Sequence, residues 1–551
     1  MQKNLEKRID VAMGRQEADL VIKNVRIFHL TTGEFETADI AVTDGIIAGV
    51  GSGFKTNCEC DATGLTAVPG FVDPHIHIDS SMLSPFEFQK MVLPHGVTTV
   101  FCDPHELANV IGAAAFEFIS KAAPSLALDM HVRLSSCVPA THLETSGGEI
   151  SAKVLEEWKQ RLPDAGLAEF MNVPGVLFKD PEVMKKLSMF DKIDGHCPFL
   201  SGNGLNAYIA AGVSNDHECS TMEEAMEKLR RGMNILIREG SVAQELNKLM
   251  PLITLENSMQ IAFCTDDRHP YDVLLEGHID TMIARAIAAG RPPLAVYRAS
   301  SYSSARIMGL TDRGLIAPGK RADIVLLSDF EKCKVQTVFA KGRLVCDEMF
   351  ASAPPIDLTP LRNTVKCKEV TAADFEMAPP VEGTPVIGLR EFSLISDYLK
   401  YPVDDLAMIS VVERHGKNGN ISHAYVHGFG LKKGAIACSV GHDSHNICVV
   451  GTNAADMAAA VNALRESQGG GAVVIDGKVI ALLPLPLAGL MTDQPMEVLI
   501  AQSEKIREAA KETGCPLQEP FMQLAFLPLP VIPFLKLTDK GLVDVQNFEL
   551  I

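Results

Sequence analysis

Between about residue 66 and residue 310 the chain repeats one local pattern. A short apolar run closes on a polar, chemically capable residue, and a stretch with helical spacing follows. The runs occupy 65–68, 98–102, 128–132, 167–170, 192–196, 212–217, 234–239 and 261–266. Segments 151–161 and 221–231 carry leucines, methionines and alanines at the period of a helix. Eight strand–helix units in about 240 residues is the count and length of a (β/α)8 barrel. In that architecture the carboxyl ends of all the strands meet at one mouth, so side chains far apart in sequence converge there.

The flanks have a different texture. Residues 20–27 and 40–47 alternate, with Asp44-Gly45 as a hairpin turn, and similar short strands return at 322–327 and 335–345. They read either as one small β domain split by the barrel or as two unrelated hairpins. A Pro-rich junction, Ala351-Ser352-Ala353-Pro354-Pro355, precedes a second break at Ala378-Pro379-Pro380. The expected fold class is α/β: a TIM-like barrel (66–310) inserted in a small discontinuous β-sandwich domain (1–65 and 311–350), a linker (351–384) and a C-terminal α/β domain (385–551). That last part holds a Gly469-Gly470-Gly471 turn, which lacks the Lys-Ser or Lys-Thr of a phosphate loop.

Composition removes several alternatives. Fifty Lys and Arg against 69 Asp and Glu leave a net charge of −19, unsuited to a nucleic-acid or anionic-membrane surface. The apolar stretch 479–491 is broken by Pro484 and Pro486 and falls short of the ~20 residues a spanning helix needs. The first residues lead into no apolar segment of the secretory type, and the 13 scattered cysteines read as reduced core thiols. The expectation is a soluble cytoplasmic protein with a small-molecule substrate.

The strongest local signal is Pro69-Gly70-Phe71-Val72-Asp73-Pro74-His75-Ile76-His77. Two histidines at i and i+2 on a strand face the same side, so both imidazoles can reach one cation. Glu169, His196, His217 and Asp266 close later runs of the barrel pattern. Singly, each has a bland reading as a hydrogen-bonded core residue or a helix cap. Together at one mouth, four histidines and two carboxylates suit two divalent metals of the Mn, Fe or Zn type.

The His-Ile-His stretch, the split β domain and Cys264-Thr265-Asp266-Asp267 resemble the amidohydrolase superfamily. Three further stretches are similar to its adenine deaminases: Cys102-Asp103-Pro104-His105-Glu106-Leu107-Ala108-Asn109-Val110, Cys264-Thr265-Asp266-Asp267-Arg268-His269-Pro270 and Ser439-Val440-Gly441-His442-Asp443-Ser444-His445-Asn446. The resemblance runs along the whole chain, in the family's order. Many binuclear members use a carboxylated lysine on the fourth strand, whereas Gly166-Leu167-Ala168-Glu169-Phe170-Met171-Asn172 has none. Glu169 then serves as the bridge, which weakens the runner-up reading, a dihydroorotase- or hydantoinase-like cyclic amidase. His142-Leu143-Glu144 lacks the Pro-Cys-x-x-Cys partner that a cytidine-type zinc deaminase requires.

The resemblance implies a homodimeric enzyme of purine salvage. It converts adenine and water to hypoxanthine and ammonia by attack of a hydroxide, held between two metals, on C6. The implied ligands are His75, His77, Glu169, His196, His217 and Asp266, with Mn or Fe favoured over Zn. Asp266 relays a proton to the leaving amine, and Glu106, its pKa raised in an apolar pocket, protonates N1. The other reading of Glu106 is a helix-start residue stabilised by the dipole. His105 orients substrate or polarises the nucleophile, and Asp267 contacts substrate or supports the ligands. Arg238 and Glu239 line the purine pocket or form a structural ion pair. His442, Asp443 and His445 either close over the active site, bind an accessory metal or only hydrogen-bond locally. A noncatalytic relative, used for assembly or sensing, should have lost one of these residues, and every position is filled.

Overall fold

The computed structural model describes residues 4–351 and 356–551, so most of the expected Pro-rich junction (352–355) lies outside the described residues. Five strands come first: β1 (Leu20–Phe28), β2 (Phe35–Thr43), β3 (Ile46–Gly51), β4 (Glu59–Asp61) and β5 (Thr66–Pro69). Asp44 and Gly45, at φ 51° and 73°, turn β2 into β3. Two successive left-handed residues are what a tight hairpin turn demands.

Eight more strands follow: β6 (Phe71–Ile76), β7 (Val97–Cys102), β8 (Asp129–Val132), β9 (Leu167–Phe170), β10 (Ile193–Gly195), β11 (Asn215–Asp216), β12 (Asn234–Arg238) and β13 (Ile261–Cys264). β6–β7–β8, β9–β10 and β11–β12–β13 pair in parallel. Parallel bridges Leu134–Leu167, Ile193–Val213 and Ile76–Asp266 join the three groups into a closed ring. Several of the helices between them start on side-chain caps, among them Ser151, Asp180 and Thr221, which accept bonds from first-turn N–H groups.

The first barrel strand differs from the expectation. Run 65–68 does not enter the barrel: β5 lies in the small sheet beside β1, and the barrel opens on β6. Both strands are wholly buried, so their hydrophobic texture is alike. The switch is Gly70, where a Cβ would fall 2.3 Å from Thr98 Oγ1 and 2.9 Å from Asp323 Cβ.

After the barrel, β14 (Ile324–Asp329), β15 (Lys334–Ala340) and β16 (Arg343–Leu344) return to the first sheet. Its order is β16-β15-β14-β5-β1-β2-β3, with β4 also beside β1. The sheet curls until β3 meets the chain before β14, where Ile47 N donates to Lys320 O at 2.8 Å and Ala322 N to Gly45 O at 2.9 Å. Ile22, Ile27, Ile40, Ile324 and Phe339 fill its inside. Each such side chain contributes about 1.5–3 kcal/mol by leaving water.

The last part is built on β17 (Pro385–Gly388), β18 (Asp397–Lys400), β19 (Leu406–Val412), β20 (Ile421–His427), β21 (Ala435–Cys438), β22 (Ile447–Gly451), β23 (Gly470–Ile475) and β24 (Lys478–Pro484). They form one sheet, order β18-β17-β20-β19-β22-β21-β23-β24, antiparallel except where β17 meets β20. The helix Ala454–Ser467, capped by Asn453, covers it. Apolar residues of the barrel and of this sheet share one continuous core, and Thr492 N donates to Met82 O at 2.9 Å across the junction. Among the described residues no helix is long and apolar enough to cross a membrane. The cysteines are not all core thiols: Cys58 is exposed, and Cys60, Cys346 and Cys367 are half-buried.

Candidate active site

The barrel mouth brings together all six residues expected to ligate metal. His75 and His77 alternate along the end of β6, and the backbone beside them pairs with the end of β13: Asp266 N donates to His75 O and His77 N to Asp266 O, at 3.1 and 3.3 Å. Asp266 sits at φ 56°, a left-handed conformation that a non-glycine residue keeps only when its surroundings impose it. Thr265 Oγ1 donates to Asp73 Oδ2 at 2.6 Å and locks the same two strands from below.

The donor atoms fall into two groups that share Glu169. Glu169 Oε1 is 3.3 Å from His77 Nε2 and 3.9 Å from His75 Nε2, and Asp266 Oδ1 is 3.0 and 3.4 Å from the same nitrogens. Glu169 Oε2 lies 2.7 Å from His196 Nδ1 and 3.2 Å from His217 Nε2. One carboxylate thus presents an oxygen to each group.

The residues present fit a pair of cations. His77 Nδ1 lies 3.1 Å from Asp103 O, a pure acceptor, so a ring proton sits there and Nε2 is the nitrogen turned toward the carboxylate oxygens. That Nε2 is also 3.1 Å from His75 Nε2. Carboxylate oxygens and ring nitrogens crowded in this way need a positive charge among them, which a bound cation supplies. Every donor is nitrogen or carboxylate oxygen, a set that suits divalent transition metals.

Around this centre lie residues that sequence reasoning missed or placed differently. Arg238, read from the sequence as lining the purine pocket or as forming a structural ion pair, spans two carboxylates. Its guanidinium donates to Asp266 Oδ2 at 2.8 Å and grips both oxygens of Glu218. Glu218 stood beside His217 in the sequence with nothing to separate it from a surface acid. Glu239 forms the ion pair that was its other reading: one oxygen pairs with Arg285 and the other accepts Leu246 N at 3.0 Å. Asp267 stays close, with an oxygen grouped with His77 and Asp266 and a buried Oδ1 that has no hydrogen-bond partner.

His105 stands between the two halves of the site. Its Nδ1 is 2.9 Å from Asp103 Oδ2 and 3.4 Å from Glu169 Oε1, while Nε2 is 3.3 Å from Glu106 Oε1. Glu106 opens the helix that follows β7 and is 2% exposed. The expected apolar pocket with a raised pKa is not what surrounds it. Burial does push the carboxyl upward, but His442, His445 and His105 outweigh it and hold Glu106 well below the usual carboxylate range. Two of those histidines come from the last domain, whose role the sequence left open.

A closed (β/α)8 barrel with a nitrogen–oxygen donor set in two groups at its mouth, flanked by a split β sheet, defines an amidohydrolase. Residues 66–345 match the amidohydrolase family, and residues 392–549 match the adenine deaminase C-terminal domain. "Adenine deaminase 1" of Rhizobium johnstonii is 50% identical over 566 residues, covering 100% of this chain and 99% of its own. The like-named protein of Rhizobium meliloti is also 50% identical over 566 residues, covering 100% of each chain. "Adenine deaminase" of Brucella anthropi is 49% identical over 562 residues, covering 99% of this chain and 100% of its own. The chain belongs to the adenine deaminase family. Among solved structures, an enamidase described as a member of the amidohydrolase superfamily has a TM-score of 0.45 and 18% identity, covering 61% of this chain and 98% of its own.

Proposed function

We propose that this chain hydrolyses adenine to hypoxanthine and ammonia, with His75, His77, Glu169, His196, His217 and Asp266 holding two divalent cations, Mn or Fe before Zn. The observation that carries the reading is the division of the donors into two groups on the two oxygens of one buried glutamate. Bound metals supply Lewis acidity that brings the ionisation of a water to near-neutral pH.

The chain's own residues do the rest. Asp266 faces the centre with Oδ1, the oxygen placed to take a proton from the attacking water and hand it to the departing amine. Arg238 and Glu218 hold its other oxygen side still. His105, pinned by Asp103, faces the nucleophile from the β7 side. Glu106 delivers the proton that N1 gains as C6 is attacked.

The test follows the ultraviolet spectrum of adenine with metal-free protein, then with Mn or ferrous iron restored. Metal-dependent conversion to hypoxanthine with equal ammonia release is expected. No change in protein that binds two equivalents of metal would remove adenine as the substrate.

A further inference from the structure

The loop 439–446 of the last domain reaches into the barrel mouth and takes Glu106 by both oxygens. His442 Nδ1 is 2.6 Å from Oε1, and His445 Nε2 bonds Oε2. Gly441 N donates to His445 Nδ1 at 3.2 Å. A ring nitrogen that accepts carries no proton, so the His445 proton is on Nε2, toward Glu106.

The loop itself is fixed from several sides. Arg414, wholly buried, donates to His445 O and to Ala488 O. Asn446 accepts Arg414 N at 3.2 Å and donates to Thr145 O of the barrel at 2.9 Å. His445 is held at φ 53°. The His442 ring stacks on Phe526, centroids 4.4 Å apart, and also lines an apolar pocket with Asp79, Val440, Leu483 and Phe521 between the two domains. Docking two domains by an ion pair requires neither a fixed tautomer nor a ring open to a pocket.

We propose that His442 and His445 complete the active site, His445 as a positioning residue that fixes the Glu106 carboxylate and His442 as the holder of the proton that Glu106 passes to N1. This rests on the reading of Glu106 given above. The proton moves from His442 Nδ1 to Glu106 Oε1 and from the carboxyl to N1, leaving a neutral imidazole. The attacking water loses two protons in all. One enters ammonia through Asp266, and the other restores His442.

Burial opposes a charge on His442, yet Glu106 beside it pushes the imidazole up to about 9. Glu106 is also faced by His105 on its own helix, Asp79 after β6, Asp267 after β13 and Asp443 next to His442, and His442 itself is faced by His269 after β13 and by His445. The wild-type kcat should therefore fall as pH rises through about 9, where His442 gives up its proton.

The decisive measurement is kcat and KM against pH for wild type, His442→Asn, His445→Ala and His445→Gln, each with metal content determined. Asn keeps an N–H toward Oε1 but holds no titrating proton. His442→Asn should retain two metals and a KM within about threefold, lose at least tenfold in kcat and lose the alkaline limb. His445→Ala should lose about tenfold in kcat, and Gln, which still donates an N–H, should recover most of it. A His442→Asn enzyme with kcat within twofold of wild type and the same alkaline limb would overturn the proposal. Should that variant not fold, a wild-type kcat that stays flat past pH 10 overturns it equally. Wild type that binds both metals and leaves adenine unchanged sinks instead the reading of the reaction.

Discussion

Glu169 touches both donor groups, so its loss cannot be confined to one of them. Changing a residue that merely supports a metal ligand typically costs 10- to 100-fold in affinity or activity. Glu169→Gln, which removes a ligand's charge at both positions, should therefore cost at least about a hundredfold in kcat/KM and leave fewer than two metals per chain by elemental analysis. Arg238 separates two assignments by kinetics. If it acts through Asp266, as its bond to Oδ2 indicates, Arg238→Gln lowers kcat by roughly 10- to 100-fold with KM nearly unchanged. A variant with raised KM and intact kcat would favour instead the purine-pocket reading of the residue. The convergence of the six expected donors was legible because Glu169, His196, His217 and Asp266 close runs of a periodic pattern and His75 and His77 form a His-x-His pair. The Glu106 environment was not, since it depends on histidines more than 330 positions away whose approach no local pattern encodes.

The strands show the same division. Seven of the eight barrel runs were readable from short apolar stretches ending in reactive residues. β5 and β6 were confused because both are fully buried and only Pro69-Gly70 stands between them. What distinguishes them is the partner each meets, β14 for one and β7 for the other. The entry to β7 depends on Gly96, at φ 85°, where a Cβ would lie 2.7 Å from the Phe71 ring. Gly96→Ala combines a left-handed backbone penalty of about 1–2 kcal/mol with overpacking of about 1–3 kcal/mol. It should lower the denaturant midpoint by the equivalent of at least about 2 kcal/mol, and an unchanged midpoint would show that β6 and β7 yield more easily than their packing implies.

At the scale of the whole molecule, the donor cluster gathers side chains from β6, β9, β10, β11 and β13 and their loops, so a cation held there ties together much of the ring. Binding to the folded state alone adds about 4 kcal/mol when free metal is about a thousand times Kd. Chelated protein should accordingly melt earlier than metal-loaded protein in a calorimeter, with the shift confined to the transition that carries the barrel. Identical melting curves would mean that the centre is already rigid without its charge.

The small sheet, shared by the two ends of the barrel segment, also sets an order for biosynthesis. β5 leaves the ribosome before the barrel does, while β14, the strand that covers its free edge, emerges only after the barrel is finished. Throughout that interval the nascent chain carries an open strand edge of the kind that recruits other chains. The first hairpins can pair with one another at once, but the outer edge of β5 must either wait or be shielded until translation has passed β14.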